Sequence, residues 1–240
     1  MANEGRPEAL DARLSSSIGD YLKGIWLLSR GGGGTVATGE IARELGVTAP
    51  SVTGMLGKMH GLGLVRYQPY KGAELTEQGS REAVRLVRRH RLLETFMITE
   101  LGFGWEEVHA EAELMEHVVS DEFTERLAHH LGQPLFDPHG DPIPRADGSV
   151  PSAPHTPLEA LQPGQRFVVH RVPSQDSEVL AYLESLGIEP GAELKLLLRE
   201  PGGNLLNLER TDVAVRENAR TFSLSRVVAG MVLGQVLTKA

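Results

Sequence analysis

The stretch HAEAELMEHVVSDE, residues 109–122, holds the densest run of side chains able to coordinate a cation. A helix turns about 100° per residue, so His109, Glu113, Glu116 and His117 fall at about 0°, 40°, −20° and 80° and share one face. Two imidazoles and two carboxylates on one face suit a divalent cation, and they equally suit a solvated acidic surface. His90 and Glu94 in RRHRLLE are also one helical turn apart. Two half-sites favour the metal over the surface. The chain has no cysteine, which excludes disulfides, iron–sulfur clusters and thiolate zinc sites. The remaining donors are imidazole, carboxylate, backbone and thioether groups, and they point to harder ions, manganese or ferrous iron.

The 240 residues suffice for two or three small domains, each with a core. A net charge of −8 is unusual for a nucleic-acid binder, but it is unevenly spread. Residues 1–90 carry 12 Lys+Arg against 9 Asp+Glu, whereas residues 91–135 carry 2 against 10, so the acid gathers around the candidate ligands. A mildly basic first third can serve phosphate contacts. No window has the apolar length of a membrane span, and the start MANEGRPEALDAR lacks a signal-peptide layout, so a cytoplasmic protein is expected.

Residues 1–10 are polar and expected to fray. Ile18, Leu22, Ile25, Trp26 and Leu28 then recur at helical spacing over 17–30, with Ser15, Ser16 or Ser17 as N-cap and Asp20 in the first turns, where a carboxylate suits the helix dipole. Next, Thr38 is expected to cap a short helix with Ile41, Ala42 and Leu45, Gly46 to break it, and Thr48 to cap a second helix with Pro50 in its first turn. This is a helix-turn-helix pattern. Thr48, Pro50, Ser51 and Thr53 are the candidate groove contacts, and Lys58 a candidate phosphate contact. Leu64 to Tyr67 and Ala73 to Leu75 flank Pro69-Tyr70-Lys71-Gly72 and read as a two-stranded wing, with Lys71 at its turn reaching phosphate.

A long helix is expected over 76–101. Its second half is too apolar for water, so Leu93, Phe96, Met97, Phe103 and Trp105 are expected to bury against a partner subunit. Asp121 is expected to cap the helix EFTERLAHHL. Residues 133–157 hold seven of the fourteen prolines and read as a linker, with His129, His130, His139 and His155 on the surface. Beyond Leu158, short β runs at 166–170, 192–198, 204–208 and 213–215 surround one helix at 177–186 and suggest a small barrel.

Taken together, GDYL, IARELGVTAPSVTGML, RRHRLLE, VHAEAELMEHVVSDE and DPHGDPIP resemble the diphtheria toxin repressor family of metal-dependent transcriptional regulators, and YLESLGIEPG resembles the SH3-like domain of some members. The resemblance implies a mainly α fold with a small β part: a winged helix-turn-helix over 1–75, a helical metal-binding and dimerisation domain over 76–145, a Pro-rich linker over 146–157, and an SH3-like (FeoA-type) β-barrel over 158–240. It implies a primary metal site of Asp20, Glu113, Glu116 and His117. The implied ancillary site is His90, Glu94 and His109, completed by Asp176 or Glu178. Iron-responsive members place Met and Cys where this chain has Asp20 and Glu113, and two hard oxygens favour Mn²⁺. Lys23 stands where single-domain manganese regulators carry a second carboxylate, which argues for two separate sites rather than a close dinuclear one.

The expected function is that of a homodimeric, Mn²⁺-activated repressor of metal-uptake genes that binds double-stranded operator DNA and neither a membrane nor a small organic substrate. Without the ion, clustered carboxylates are expected to repel and loosen the first helix. Fe²⁺ is the alternative effector. A metal-dependent hydrolase is a weaker reading, since the chain lacks an HExxH pair and a nucleophile–base arrangement, and no enzymatic activity is expected.

Overall fold

A computed structural model describes residues 16–29, 33–152, 154–173, 176–212 and 221–237. The residues expected to fray, 1–10, and the β run expected at 213–215 lie outside these. The chain divides into two compact units. One comprises Met1–Arg89, Glu116–Val119 and Pro144–Ser149, and the other His90–Met115, Ser120–Ile143 and Val150–Ala240.

The first unit is built on α1 (Ser16–Leu28), α2 (Thr38–Glu44) and α3 (Ala49–Gly61). Ile18, Leu22 and Ile25 recur on one face of α1 and are fully buried with Ile41, Val52, Leu56 and Met59. Each such side chain contributes roughly 1.5–3 kcal/mol on leaving water. Thr48 caps α3, its side chain accepting from the Ser51 amide at 3.4 Å. The cap of α2 is Ala37 rather than Thr38. Ala37 has no side-chain acceptor, and instead the Glu40 carboxylate reaches back to accept from the Ala37 amide at 3.0 Å. Gly46 turns α2 into α3 at φ 62°, a conformation that costs a residue with a Cβ about 1–2 kcal/mol.

The wing follows as β1 (Val65–Gln68) and β2 (Gly72–Leu75), antiparallel with Gln68 opposite Gly72. Its base is tied down by Val36, which exchanges two backbone hydrogen bonds with Ala73 at 2.8 and 2.9 Å. Helix α4 (Glu77–Leu101) starts at Thr76, whose hydroxyl accepts from the Gly79 amide at 3.1 Å.

The second unit takes α4 from His90 onward, most of α5 (Val108–Glu116), α6 (Asp121–His130) and a six-stranded antiparallel sheet. Ser120, not Asp121, caps α6, accepting from the Phe123 amide at 3.1 Å. The strands are β3 (Thr156–Pro157), β4 (Arg166–Arg171), β5 (Glu193–Arg199), β6 (Leu205–Arg210), β7 (Thr221–Ser225) and β8 (Leu233–Leu237), in the order β3-β8-β4-β5-β6-β7. Helix α7 (Ser177–Ser185) precedes β5 and a short α8 (Arg226–Met231) precedes β8. Register shifts at 169–171 and 196–198 bend the sheet. Phe167, Leu194, Leu196, Leu206, Leu208 and Leu224 fill its core.

Two expectations change. Trp105 joins that core, and Leu93 and Met97 are buried by this chain alone, so none of the three needs a partner subunit for cover. Phe96 and Phe103 are half-buried, and the apolar side chains left in solvent in this region include Leu101, Leu114, Val118 and Phe123. Residues 133–145 are not a linker. Their prolines stop a helix but leave a packed turn in which Phe136 bridges Pro142 and Ile143 is buried.

Candidate metal centre and nucleic-acid interface

In the first unit, Asp20 on α1 meets Glu116 and His117, which end α5 and begin the following turn. His117 Nε2 lies 2.8 Å from Asp20 Oδ1 and 3.5 Å from Glu116 Oε1. Gly19 makes room for the imidazole, since a Cβ there would come within 2.8 Å of His117 Cε1 and 2.9 Å of Leu86 Cδ1. No local pattern marks Gly19 for this part, because the constraint comes from a ring 98 positions away.

Lys23, one turn along α1 from Asp20, places Nζ 2.7 Å from Glu116 Oε1, and both side chains are almost wholly buried. The expected loosening by carboxylate repulsion is therefore corrected: Glu116 faces an ammonium, and Asp20 faces an imidazole. Glu113 is not part of this group. It is half-exposed in the second unit, 3.6 Å from His109 Nε2. The single coordinating face predicted for His109, Glu113, Glu116 and His117 is thus divided, because α5 ends at Glu116 and each end serves a different group.

The other group lies wholly in the second unit. His90 Nε2, His109 Nδ1 and Glu94 Oε1 stand 2.9 to 3.2 Å from one another. Two ligands at right angles on an ion, each bonded at about 2.1 Å, are about 3.0 Å apart, so this spacing suits a shared cation. Burial would raise the Glu94 carboxyl, but the charge of His90, hydrogen bonds from His109 and His90, and the charge of His139 hold it well below the usual carboxylate range.

Glu94 also belongs to a third group, with Asp137 and His139, all three buried. His139 was expected on the surface. Its ring instead lies 4.7 Å from that of Trp105, its Nδ1 is 4.0 Å from Glu94 Oε2, and its buried Nε2 has no hydrogen-bond partner among the described residues. Asp137 Oδ1 accepts from the amides of His139 and Asp141 at 2.9 and 2.8 Å, and the His139 carbonyl accepts from Val172 at 2.8 Å. Gly140, at φ 83°, is required because a Cβ would overlap the His170 carbonyl. Burial, with repulsion from Asp141 and Glu94, pushes the Asp137 carboxyl well above its usual range despite Arg91, while burial lowers the His139 imidazole against the pull of Glu94. His129, His130 and His155 are exposed, as expected.

Asp176 is exposed and caps α7, accepting from the amides of Glu178 and Val179 at 3.0 and 3.3 Å; neither it nor Glu178 joins a ligand group among the described residues. Asp137 and His139 are the donors that sequence reasoning missed. The one signal was DPHGDPIP itself, a turn-forming motif with two carboxylates and an imidazole.

Thr48, Pro50, Ser51, Thr53, Lys58 and Lys71 are all exposed. On α3 the face opposite the buried Val52, Leu56 and Met59 consists of Pro50, Gly54, Gly57 and Gly61, within about 60° of one another at 100° per residue. A Cβ on any of these three glycines would meet nothing within 4 Å. The helix thus shows solvent a bare backbone ridge flanked by Ser51 and Lys58 on one side and Thr53 and His60 on the other.

Residues 13–73 match the N-terminal DNA binding domain of the iron dependent repressors, residues 76–145 their metal binding and dimerisation domain, and residues 156–234 the FeoA domain. An iron-dependent repressor, IdeR, of Mycobacterium leprae is 32% identical over 198 residues, covering 78% of this chain and 85% of the relative. A diphtheria toxin repressor of Corynebacterium efficiens is 32% identical over 167 residues, covering 65% and 73%. Among solved structures, a manganese-dependent transcriptional repressor in complex with manganese shows 38% identity and a TM-score of 0.80, covering 91% of this chain and all of that one. The manganese regulator SloR shows 30% identity and a TM-score of 0.71, covering 92% and 98%.

Proposed function

Because the chain belongs to the iron-dependent, diphtheria-toxin-type repressor family, whose members are metal-dependent transcriptional repressors, we propose that it is a Mn²⁺-activated repressor of metal-uptake genes, acting as a homodimer on operator DNA. The observation that carries this reading is the joining of Asp20, on a helix packed in the DNA-binding core, to Glu116 and His117. An all-oxygen-and-nitrogen donor set suits Mn²⁺. The iron-dependent relatives favour Fe²⁺ as the second reading. No helix of the described residues is long and apolar enough to cross a membrane.

Asp20, Glu116 and His117 would hold one ion, and the resemblance adds Glu113 to that set. His90, Glu94 and His109 would hold another, with Asp137 and His139 the nearest further donors to Glu94. The orphaned Nε2 of His139 and the mutual spacing of His90 Nε2, His109 Nδ1 and Glu94 Oε1 fit such an ion. Bound, a divalent cation supplies two positive charges to paired carboxylates. Asp20 then fixes α1, α1 fixes α2 and α3 through Ile18, Leu22 and Ile25, and Thr48, Ser51 and Thr53 are held in position for DNA. A preference of roughly 5.5 kcal/mol for one arrangement gives a near-complete switch.

The test is binding of promoter fragments from metal-uptake genes with and without Mn²⁺ or Fe²⁺, for the native chain, Glu116→Ala, His90→Ala and Glu113→Cys. Metal-dependent binding lost in Glu116→Ala and weakened less in His90→Ala is expected; the reverse order overturns the ranking of the sites. An unchanged metal preference in Glu113→Cys overturns the argument for manganese.

A further inference from the structure

The wing turns through only Pro69, Tyr70 and Lys71, since Gln68 pairs with Gly72 and the Lys71 amide donates to the Gln68 carbonyl at 3.1 Å. Tyr70 sits at φ 65°. Among the described residues thirteen glycines take positive φ, and Tyr70 and Gln133 are the other two that do. An aromatic residue in this region is strained, because its Cβ crowds the following carbonyl. Its side chain offers the fold nothing in return: relative exposure is 106%, and the ring and hydroxyl have no partner among the described residues. Both features work against the isolated fold, so the ring's partner is external.

The surroundings narrow that partner. The wing is joined to the end of α3 by His60, whose Nδ1 lies 3.1 Å from the Val65 carbonyl, so tip and helix are positioned together. Lys71 beside the ring is exposed and cationic. A phenol next to an ammonium, on a rigid finger beside a helix whose outer face is bare backbone, suits a sugar–phosphate chain: the hydroxyl donates to a phosphate oxygen and the ring packs on deoxyribose. We propose that Tyr70 is a DNA-backbone contact, held out by the wing against the strand flanking the groove that α3 enters. The proposal rests on the DNA-binding reading above and adds a residue that anchors without reading sequence.

The test uses the full chain with MnCl₂ and two duplexes, one selected in vitro by the native protein and one unrelated. Tyr70→Asn removes the ring but keeps a residue that tolerates left-handed backbone. It should bind both duplexes about tenfold more weakly, equivalent to about 1.4 kcal/mol, with an unchanged salt dependence and an equal or higher thermal midpoint. Tyr70→Phe should fall between it and the native chain. Lys71→Ala, which removes a charge, should lower the salt slope by about 1. Native-like affinity of Tyr70→Asn, a loss confined to the selected duplex, or a lowered thermal midpoint overturns the proposal. If the native chain binds neither duplex with Mn²⁺ or Fe²⁺, the DNA-binding reading itself has failed, and Tyr70 with it.

Discussion

Replacing Gly54 and Gly57 by alanine should stabilise the N-terminal unit and weaken its grip on DNA. Both lie in the interior of α3, both are exposed, and an added Cβ meets nothing within 4 Å, so the change brings neither a clash nor new packing. What remains is backbone entropy, about 0.8–1.0 kcal/mol per glycine in a helix interior. The two sites share no partner, so the pair should add to roughly 2 kcal/mol. For a domain of 60–100 residues each kcal/mol moves the midpoint by about 4–8 °C, so the thermal transition of this unit should rise by roughly 8–16 °C. Calorimetry in EDTA, which removes any contribution from bound metal, reads this directly. DNA affinity in MnCl₂ should fall, because two methyl groups on the outermost ridge keep the helix axis from its closest approach. A midpoint that stays put or drops refutes the premise that these glycines stand uncompensated in the fold. Greater stability with undiminished affinity refutes the assignment of the bare ridge to the DNA side.

Three further outcomes are expected. Lys23→Met, which leaves the buried Glu116 carboxylate without its ammonium, should cost roughly 3–5 kcal/mol in urea unfolding with EDTA, and the double change Lys23→Met with Glu116→Met should recover much of that loss. Gly19→Ala forces a Cβ against the His117 ring and should weaken Mn²⁺ binding there by roughly 10–100-fold in isothermal titration, as for other changes behind a ligand. Asp137, raised well above the usual carboxylate range by burial and by Asp141 and Glu94, binds its proton more tightly folded than unfolded. Its contribution is complete below the unfolded value and lost as pH rises through the folded one, so midpoints measured in EDTA should decline with rising pH in the native chain and less in Asp137→Asn. Parallel profiles would refute that account.

Much of the helical part was legible because its signals are local. Thr48 three residues before the Ser51 amide it accepts from, Gly46 between two apolar periods, and the alternation around Pro69–Gly72 each act within one turn or hairpin. What escaped depends on distant pairs. His139 reads as a surface residue in a proline-rich stretch until Val172, Trp105 and Glu94 close around it, the last 45 positions away. Trp105, Leu93 and Met97 read as a subunit interface because nothing near them in sequence covers them; for Trp105 the cover is a sheet core that begins at Leu158. The six strands pair in the order β3-β8-β4-β5-β6-β7, and no local pattern fixes which distant strands become neighbours.

The Lys23–Glu116 contact has a consequence for how such a sensor would be set. A side-chain ammonium on the same chain is a competitor that dilution cannot remove, and its effective concentration at the carboxylate is fixed by the helix that carries it. A divalent ion drawn from solution would therefore trade places with a tethered monovalent one, and the ion level at half response would be written into residue 23. Shortening, lengthening or neutralising that one side chain would retune the threshold and leave every coordinating atom in place.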